Sequence, residues 1–160
     1  KILDHVKKGI TVEQIIKAFK MTHQAGIETH ATYSFGLPGE TKETIEQTIS
    51  FAKMLDSDYA QFAIIMPYPG TELFREAEKK GWLLTKDWSK YEASENSVLE
   101  YPWLKAQEIV SASKKAYRKF YFRPRYIFKR LFKIKSLNEI PVLIKGTFNL
   151  IKRSFSAREK

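Results

Sequence analysis

The chain has 160 residues, no cysteine, 43% hydrophobic residues and a formal net charge of +10. This composition can fill a hydrophobic core, and it excludes disulfides, thiolate metal sites and an iron–sulfur cluster held by this chain alone. Residues 101–160 carry 16 Lys and Arg against 3 Asp and Glu, whereas residues 1–100 carry a net charge of −3, so the basic segment is expected to meet an anionic surface.

The first predicted elements are a helix and a strand. Thr11 and Gln14 have the spacing of a capping box, and Gly26 is placed to end the helix that follows. From Ile27 to Phe35 every second residue is polar, which predicts a strand with one polar face. The polar side chains of that face are Glu28, His30, Thr32 and Ser34. Such a face suits either the inside of a barrel that binds a polar ligand or an edge strand that faces solvent.

Two strand–turn–helix units follow each other in the sequence. The first spans Thr29–Thr41 and the second spans Tyr59–Thr71, and each contains a Pro-Gly turn followed by a Thr that can cap a helix. Residues 59–66 are nearly all apolar, which predicts a parallel strand buried on both faces. The two units predict an α/β fold with site-forming loops at the carboxyl ends of its strands.

The second half of the chain is predicted to be a loop followed by helices. An irregular, aromatic-rich loop over 82–103 is expected to pack over the body as a lid, and a helix over 105–122 is ended by Pro124. Two short basic amphipathic helices are predicted over 126–134 and 140–155. No apolar run reaches ~18 residues, so no transmembrane helix is expected.

The turn at 36–39 has two interpretations on its residues alone. It is either a tight structural turn or a place where a glycine lets a ligand approach the backbone. A phosphate-cradling loop is not favoured, because neither turn continues into Lys-Ser/Thr. The three histidines lack metal-ligand spacing, and His30 is interpreted as a hydrogen-bonded structural residue. No catalytic or metal-ligating residue is therefore assigned.

Several segments, in order, resemble the radical S-adenosylmethionine family, in the branch with a cobalamin-binding domain upstream. Phe35-Gly-Leu-Pro-Gly-Glu-Thr41 resembles the turn after the fifth barrel strand of that family, and Pro67-Tyr-Pro-Gly-Thr-Glu-Leu-Phe74 resembles the turn after the sixth. Phe120-Tyr-Phe-Arg-Pro-Arg-Tyr126 is similar to a segment found after the core in relatives of the anaerobic magnesium-protoporphyrin ester cyclase and of hopanoid-modifying enzymes. The resemblance implies the C-terminal portion of a partial (β/α)6 TIM-like barrel over 1–81, the aromatic loop over 82–103 and a helical basic extension over 104–160.

The resemblance also implies residues that bind S-adenosylmethionine. The family pattern Gly-x-Ile-x-Gly-x-x-x-Glu aligns with Thr32, Ser34, Gly36 and Glu40. Gly36 and Glu40 match it, whereas Thr32 replaces a glycine and Ser34 replaces an apolar residue that lies near adenine. Glu40 is expected mainly to support the loop. Backbone groups of Ile65, Met66 and Pro67 are expected to meet the adenine edge.

The implied cofactors are S-adenosylmethionine, a [4Fe–4S] cluster and cobalamin. The last two would be held by an N-terminal half of the same protein, which carries the Cys-x-x-x-Cys-x-x-Cys loop of the family, so this chain alone is expected to be inactive. The expected reaction is a radical-initiated methylation, cyclisation or rearrangement of a small-molecule or lipid-like substrate. The expected location is the cytoplasm, or the inner face of the membrane as a peripheral protein.

The basic C-terminal segment leaves three interpretations open. It contacts a membrane surface peripherally, it binds nucleic acid, which no recognised motif supports, or its helices pack their apolar side on the core and leave Lys and Arg in water. An alternative function from a different class is a non-catalytic α/β binding module that docks to an anionic membrane or RNA through this segment.

Overall fold

The computed structural model describes residues 2–93 and 96–134, together with residues 141, 145, 146 and 151. The helices and strands are α1 (Ile2–His5), α2 (Val12–Gln24), β1 (His30–Phe35), α3 (Lys42–Leu55), β2 (Tyr59–Ile64), α4 (Glu72–Lys79), α5 (Ala106–Tyr121) and α6 (Pro124–Phe132). A short 3-10 turn, Trp88–Lys90, lies in the aromatic loop. The helix predicted over 140–155 falls almost entirely outside the described residues.

The predicted helix starts are confirmed. The Thr11 hydroxyl accepts a hydrogen bond from the Gln14 N–H at 3.2 Å, and the Gln14 side chain accepts one from the Thr11 N–H at 2.8 Å. Thr41 and Thr44 form the same reciprocal pair at the start of α3, and Thr71 caps α4. These bonds join residues three apart, so the sequence alone specifies them.

β1 and β2 form a two-stranded parallel sheet in which Thr32 lies beside Gln61 and Ser34 lies beside Ala63. One face is buried and packs with α3 and α5 in a single hydrophobic core. The other face carries the polar side chains of β1, as predicted, with His30 and Thr32 exposed and Ser34 half-buried. The prediction that the second strand is buried on both faces was wrong, because Gln61 is exposed and Tyr59 is 36% exposed on the same face. The described residues therefore form a mixed α/β fold that contains two parallel strands.

Hydroxyl groups from α5 close the outer edge of β2. The Tyr121 hydroxyl accepts from the Ala60 N–H at 2.9 Å and donates to the Ala60 carbonyl at 2.7 Å. The Phe62 N–H donates to the Tyr117 hydroxyl at 3.2 Å, and the Ser113 hydroxyl donates to the Phe62 carbonyl at 2.8 Å. Because these three side chains are four residues apart, they lie on one stripe of the helix. They satisfy edge groups that a neighbouring strand would otherwise pair.

The opposite edge of the sheet is open in the described part of the chain. There β1 pairs with β2 alone, so the backbone groups of alternate residues such as Thr32 and Ser34 point away from the only partner strand. The apolar stripe of α2 is also partly exposed, since Val12 and Ile16 are 40% and 39% exposed. The sheet is thus closed on the side of β2 and open on the side of β1.

α6 packs against the amino ends of the strands. The buried Tyr126 hydroxyl donates to the carbonyl of Asp58, the residue before β2, at 2.9 Å. Arg123, which precedes α6, pairs with the Asp56 carboxylate at 2.5 Å. No helix in the described part of the chain is long and apolar enough to cross a bilayer.

Candidate functional site at the carboxyl ends of the strands

The turn after β1 is built around Gly36. This residue has φ +87°, a conformation that L side chains rarely adopt. A Cβ atom at Gly36 would lie 3.0 Å from Cγ2 of Ile109 and 3.3 Å from Cγ2 of Ile65. Glycine is therefore required here by both the backbone conformation and the close approach of α5.

Glu40 holds this turn from the inside. Its side chain is buried, and its Oε2 atom accepts a hydrogen bond of 2.6 Å from the Gly36 N–H. Burial raises the pKa of Glu40 to about 7, although hydrogen bonds from the backbone of Gly36 and Leu37 act in the opposite direction. The carboxyl group therefore serves as a buried acceptor that fixes the turn, as the family resemblance implies for this position.

Two aromatic residues near the end of the loop at 82–103 also hold this turn. The Tyr101 hydroxyl donates to the Gly36 carbonyl at 2.7 Å, and the indole N–H of Trp103 donates to the Glu40 carbonyl at 3.1 Å. Their rings stack with centroids 5.4 Å apart, and Tyr101 is only 1% exposed. The sequence predicted that this loop packs over the body, but it carried no signal for these two contacts, which span more than 60 residues.

The end of β2 lies directly beside this turn. The Ile65 N–H donates to the Phe35 carbonyl at 2.9 Å, which extends the parallel pairing to the last residue before Gly36. Met66 and Pro67 are buried, and Ile65 is half-buried. The structure thus brings Gly36 and Glu40 together with the segment 65–67 at the carboxyl end of the sheet.

The remaining two predicted site residues lie on the open polar face of β1. Thr32 is exposed and Ser34 is half-buried, and both precede the Gly36 turn on the same strand. Thr32 and Ser34 thus offer hydroxyl groups beside the strand ends, whereas Gly36 and Glu40 form the frame of the turn. The binding roles of all seven residues stay predictions.

The residues present suit part of an adenosine pocket but not an iron–sulfur site. Backbone groups at strand ends can read the edge of a purine, and the hydroxyl groups on β1 can bind polar parts of a nucleoside. The chain has no cysteine, and no group of three His, Asp or Glu residues in its described part could hold a metal ion. Ligands for a cluster would have to come from elsewhere in a longer protein.

Comparison with known proteins identifies enzymes as relatives. No family model matches the chain. It is 41% identical over 132 residues to an uncharacterized methyltransferase of Pyrococcus horikoshii, a match that covers 82% of this chain and 28% of that protein. It is 30% identical over 125 residues to the anaerobic magnesium-protoporphyrin IX monomethyl ester cyclase of Rubrivivax gelatinosus, covering 78% and 22%.

A third relative is the bacteriochlorophyllide d C-8(2)-methyltransferase of Chlorobaculum tepidum, 30% identical over 83 residues, a match that covers 52% of this chain and 18% of that protein. The chain spans between 18% and 28% of the length of these three curated relatives. The chain is thus similar to proteins named as methyltransferases and as a cyclase.

Proposed function

We propose that this chain is the C-terminal part of the barrel of a cobalamin-type radical S-adenosylmethionine enzyme and forms part of its S-adenosylmethionine pocket. The reaction would be a radical-initiated methylation, cyclisation or rearrangement of a small molecule. The proposal is supported by the similarity to a methyltransferase and an ester cyclase over about four fifths of the chain. The substrate would be selected largely by parts of the protein outside this chain.

The observation that carries the proposal is the asymmetry of the sheet. The outer edge of β2 is closed by the hydroxyl groups of α5, as suits the last strand of an incomplete barrel. Among the described residues β1 pairs on one side only, so its open edge is available for a preceding strand. A barrel that continued from β1 would also enclose the polar face that carries Thr32 and Ser34.

Each predicted site residue has a definite task in this proposal. Gly36 and Glu40 shape the turn, Thr32 and Ser34 present hydroxyl groups to the nucleoside, and the backbone of residues 65–67 binds the adenine edge. When bound beside a reduced [4Fe–4S] cluster, S-adenosylmethionine supplies a carbon radical that abstracts hydrogen from the substrate. The residues of this chain would bind and orient the adenosine portion and would exclude water from it.

The test uses the full-length protein as its gene encodes it, reconstituted anaerobically with iron and sulfide. On reduction in the presence of S-adenosylmethionine, the protein should form 5′-deoxyadenosine. Ser34→Phe, which would fill the polar face, should weaken S-adenosylmethionine binding at least about tenfold, equivalent to roughly 1.4 kcal/mol. Ser111→Phe is the matched control, because Ser111 is exposed on α5 beside residues of α3 and not on β1.

Two results would overturn the proposal. The first is a full-length protein without cluster cysteines that forms no 5′-deoxyadenosine, which would favour a non-catalytic binding module. The second is equal binding of S-adenosylmethionine by the Ser34→Phe and Ser111→Phe variants, which would move the pocket away from β1.

A further inference from the structure

α6 turns its cationic side toward the body of the protein and its apolar side outward. The side chains that meet the body recur every three or four residues: Tyr126, Lys129, Arg130 and Lys133. The opposite side consists of Ile127, Phe128, Leu131 and Phe132, which are 43%, 60%, 56% and 87% exposed. We call these four residues the α6 ridge. Of the three interpretations left open for the basic segment, the one in which the apolar side packs on the core and Lys and Arg stay in water does not describe α6.

Ion pairs with the β/α part explain this orientation. Lys133 lies 2.6 Å from Oδ1 of Asp58, and Lys129 lies 3.5 Å from carboxylate oxygens of both Asp56 and Asp58. Asp58 is a buried acceptor, so removing its cationic partners would leave an uncompensated charge. Arg130 adds a contact over the Tyr59 ring at 4.7 Å. These contacts fix the rotation of α6 and leave the ridge on the outside.

We propose that the α6 ridge inserts into the headgroup region of a membrane that contains anionic lipids. A short helix with exposed Phe and Leu side chains and neighbouring cations has the composition of an interfacial anchor. The Arg125 side chain beside the ridge is 81% exposed. Cations outnumber carboxylates around α6. The five cations are at positions 123, 125, 129, 130 and 133, and the three carboxylates that they meet belong to Glu28, Asp56 and Asp58. The local field therefore attracts an anionic surface.

Other occupants fit the ridge less well. Nucleic acid binds through cations that are free to meet phosphates, but the outward side of α6 is mainly apolar and most of its cations are paired with carboxylates. A stable dimer buries about 800 Å² on each partner. A nine-residue helix is about 14 Å long and 10–12 Å wide, so the ridge offers only about 150 Å² of projected area. A bilayer surface takes up an apolar ridge without a large complementary partner, and Arg125 beside the ridge is exposed enough to meet its anionic headgroups.

The location of the ridge gives the anchor an orientation. α6 contacts residues that precede β1 and β2, such as Glu28 and Asp58, whereas the candidate site lies at the other ends of these strands. A six-residue strand is about 20 Å long. A protein anchored through α6 would therefore hold its candidate site away from the bilayer, open to substrates from the aqueous phase.

The experiment is co-sedimentation of the full-length protein with vesicles of phosphatidylcholine alone or with 30% phosphatidylglycerol added. We expect binding to the anionic vesicles, weaker binding at 0.5 M NaCl, and little binding to phosphatidylcholine alone. The double variant Leu131→Ser/Phe132→Ser should bind anionic vesicles at least about tenfold more weakly. Leu131→Ser alone is compared with Leu84→Ser, since Leu84 is an equally exposed leucine at 55% but lies outside α6.

The proposal fails if the full-length protein does not bind anionic vesicles, because the ridge is then covered by another part of the chain. It also fails if the ridge variants bind as the wild type does, or if Leu84→Ser has the same effect as Leu131→Ser. If the protein binds RNA but does not bind vesicles, nucleic acid is the favoured partner of α6 instead. Concentration-dependent dimerisation that the ridge variants abolish, again without vesicle binding, would favour a second copy. Circular dichroism of each variant verifies that the fold is intact.

Discussion

The Glu40 carboxylate accepts a 2.6 Å hydrogen bond from the backbone N–H of Gly36, four residues earlier in the chain. This bond closes the turn after β1, while the buried Tyr101 hydroxyl donates to the carbonyl of the same glycine. Both polar groups of the Gly36 backbone unit are thereby occupied by side chains. The shape of this strand end consequently depends on a buried acid and on an aromatic residue 65 positions away.

Glu40→Gln should make stability less dependent on pH. Burial raises the pKa of Glu40 to about 7 from an ordinary value of 4.5, so the protonated acid favours the native state. This contribution is complete below the unfolded pKa and is lost as the pH rises through the native pKa. Between pH 5 and 8 the unfolding free energy of the wild type should fall by up to about 3 kcal/mol. The unfolding free energy of the Glu40→Gln variant should not show this fall. Urea unfolding at each pH measures both.

The control for this prediction is Glu43→Gln, on the exposed first turn of α3. It should leave the pH profile of the wild type in place between pH 5 and 8. If the unfolding free energies of the wild type and the Glu40→Gln variant change equally with pH, Glu40 ionises in the native state without loss of stability.

Gly36→Ala should be more destabilising than Gly39→Ala. Both glycines have positive φ, +87° and +79°, so alanine is strained at either position by about 1–2 kcal/mol. At Gly36 the added methyl group would also meet Ile109 at 3.0 Å, whereas at Gly39 no atom lies within 4 Å. We expect an additional loss of about 1–3 kcal/mol at Gly36 from overpacking, measured by urea unfolding. Equal losses would show that Ile109 moves aside freely.

Tyr121→Phe should open the outer edge of β2. The Tyr121 hydroxyl both accepts from and donates to the backbone of Ala60, and phenylalanine keeps the ring while removing both bonds. The expected loss is about 1–3 kcal/mol of unfolding free energy, with more light scattering on heating because an unpaired edge recruits other chains. Tyr68→Phe, at a residue that is 54% exposed, should change neither measurement. If Tyr121→Phe has the unfolding free energy and light scattering of the wild type, water replaces the hydroxyl group without loss of stability.

Asp58→Asn should loosen α6. Burial alone would raise the pKa of Asp58, but hydrogen bonds from Lys133 and the Thr29 backbone, together with the charge of Lys129, outweigh it and hold the pKa below its usual range. A lowered native pKa stabilises the fold above the unfolded pKa of about 4, and this contribution disappears as the pH falls. At pH 7, amide hydrogen exchange in residues 124–132 should therefore be faster in Asp58→Asn than in the wild type.

The matched control for this prediction is Asp87→Asn, because Asp87 caps an exposed turn in the aromatic loop. Its exchange in α6 should equal that of the wild type. Unchanged exchange in Asp58→Asn would indicate that Tyr126 and the Asp56 contacts hold α6 without this carboxylate.

The sequence by itself determined the features that depend on neighbouring residues. The capping pair of Thr11 and Gln14 and the cap at Thr41 act over three residues, so their pattern predicts the helix starts directly. The alternation along β1 likewise determined which of its residues share the polar face. The Gly36 turn and the segment 65–67 were located from a family resemblance, which also rests on short local motifs.

Only the tertiary structure decided which surfaces are closed. The hydroxyl-capped edge of β2 depends on Tyr121, which lies 61 residues after Ala60 in the chain. The orientation of α6 depends on Asp58, 75 residues before Lys133. A helical pattern shows that one side of α6 is apolar and the other basic, but it does not show which side meets the body. The buried carboxylate favours the basic side, because removing the cationic partner of a buried charge costs about 3–5 kcal/mol.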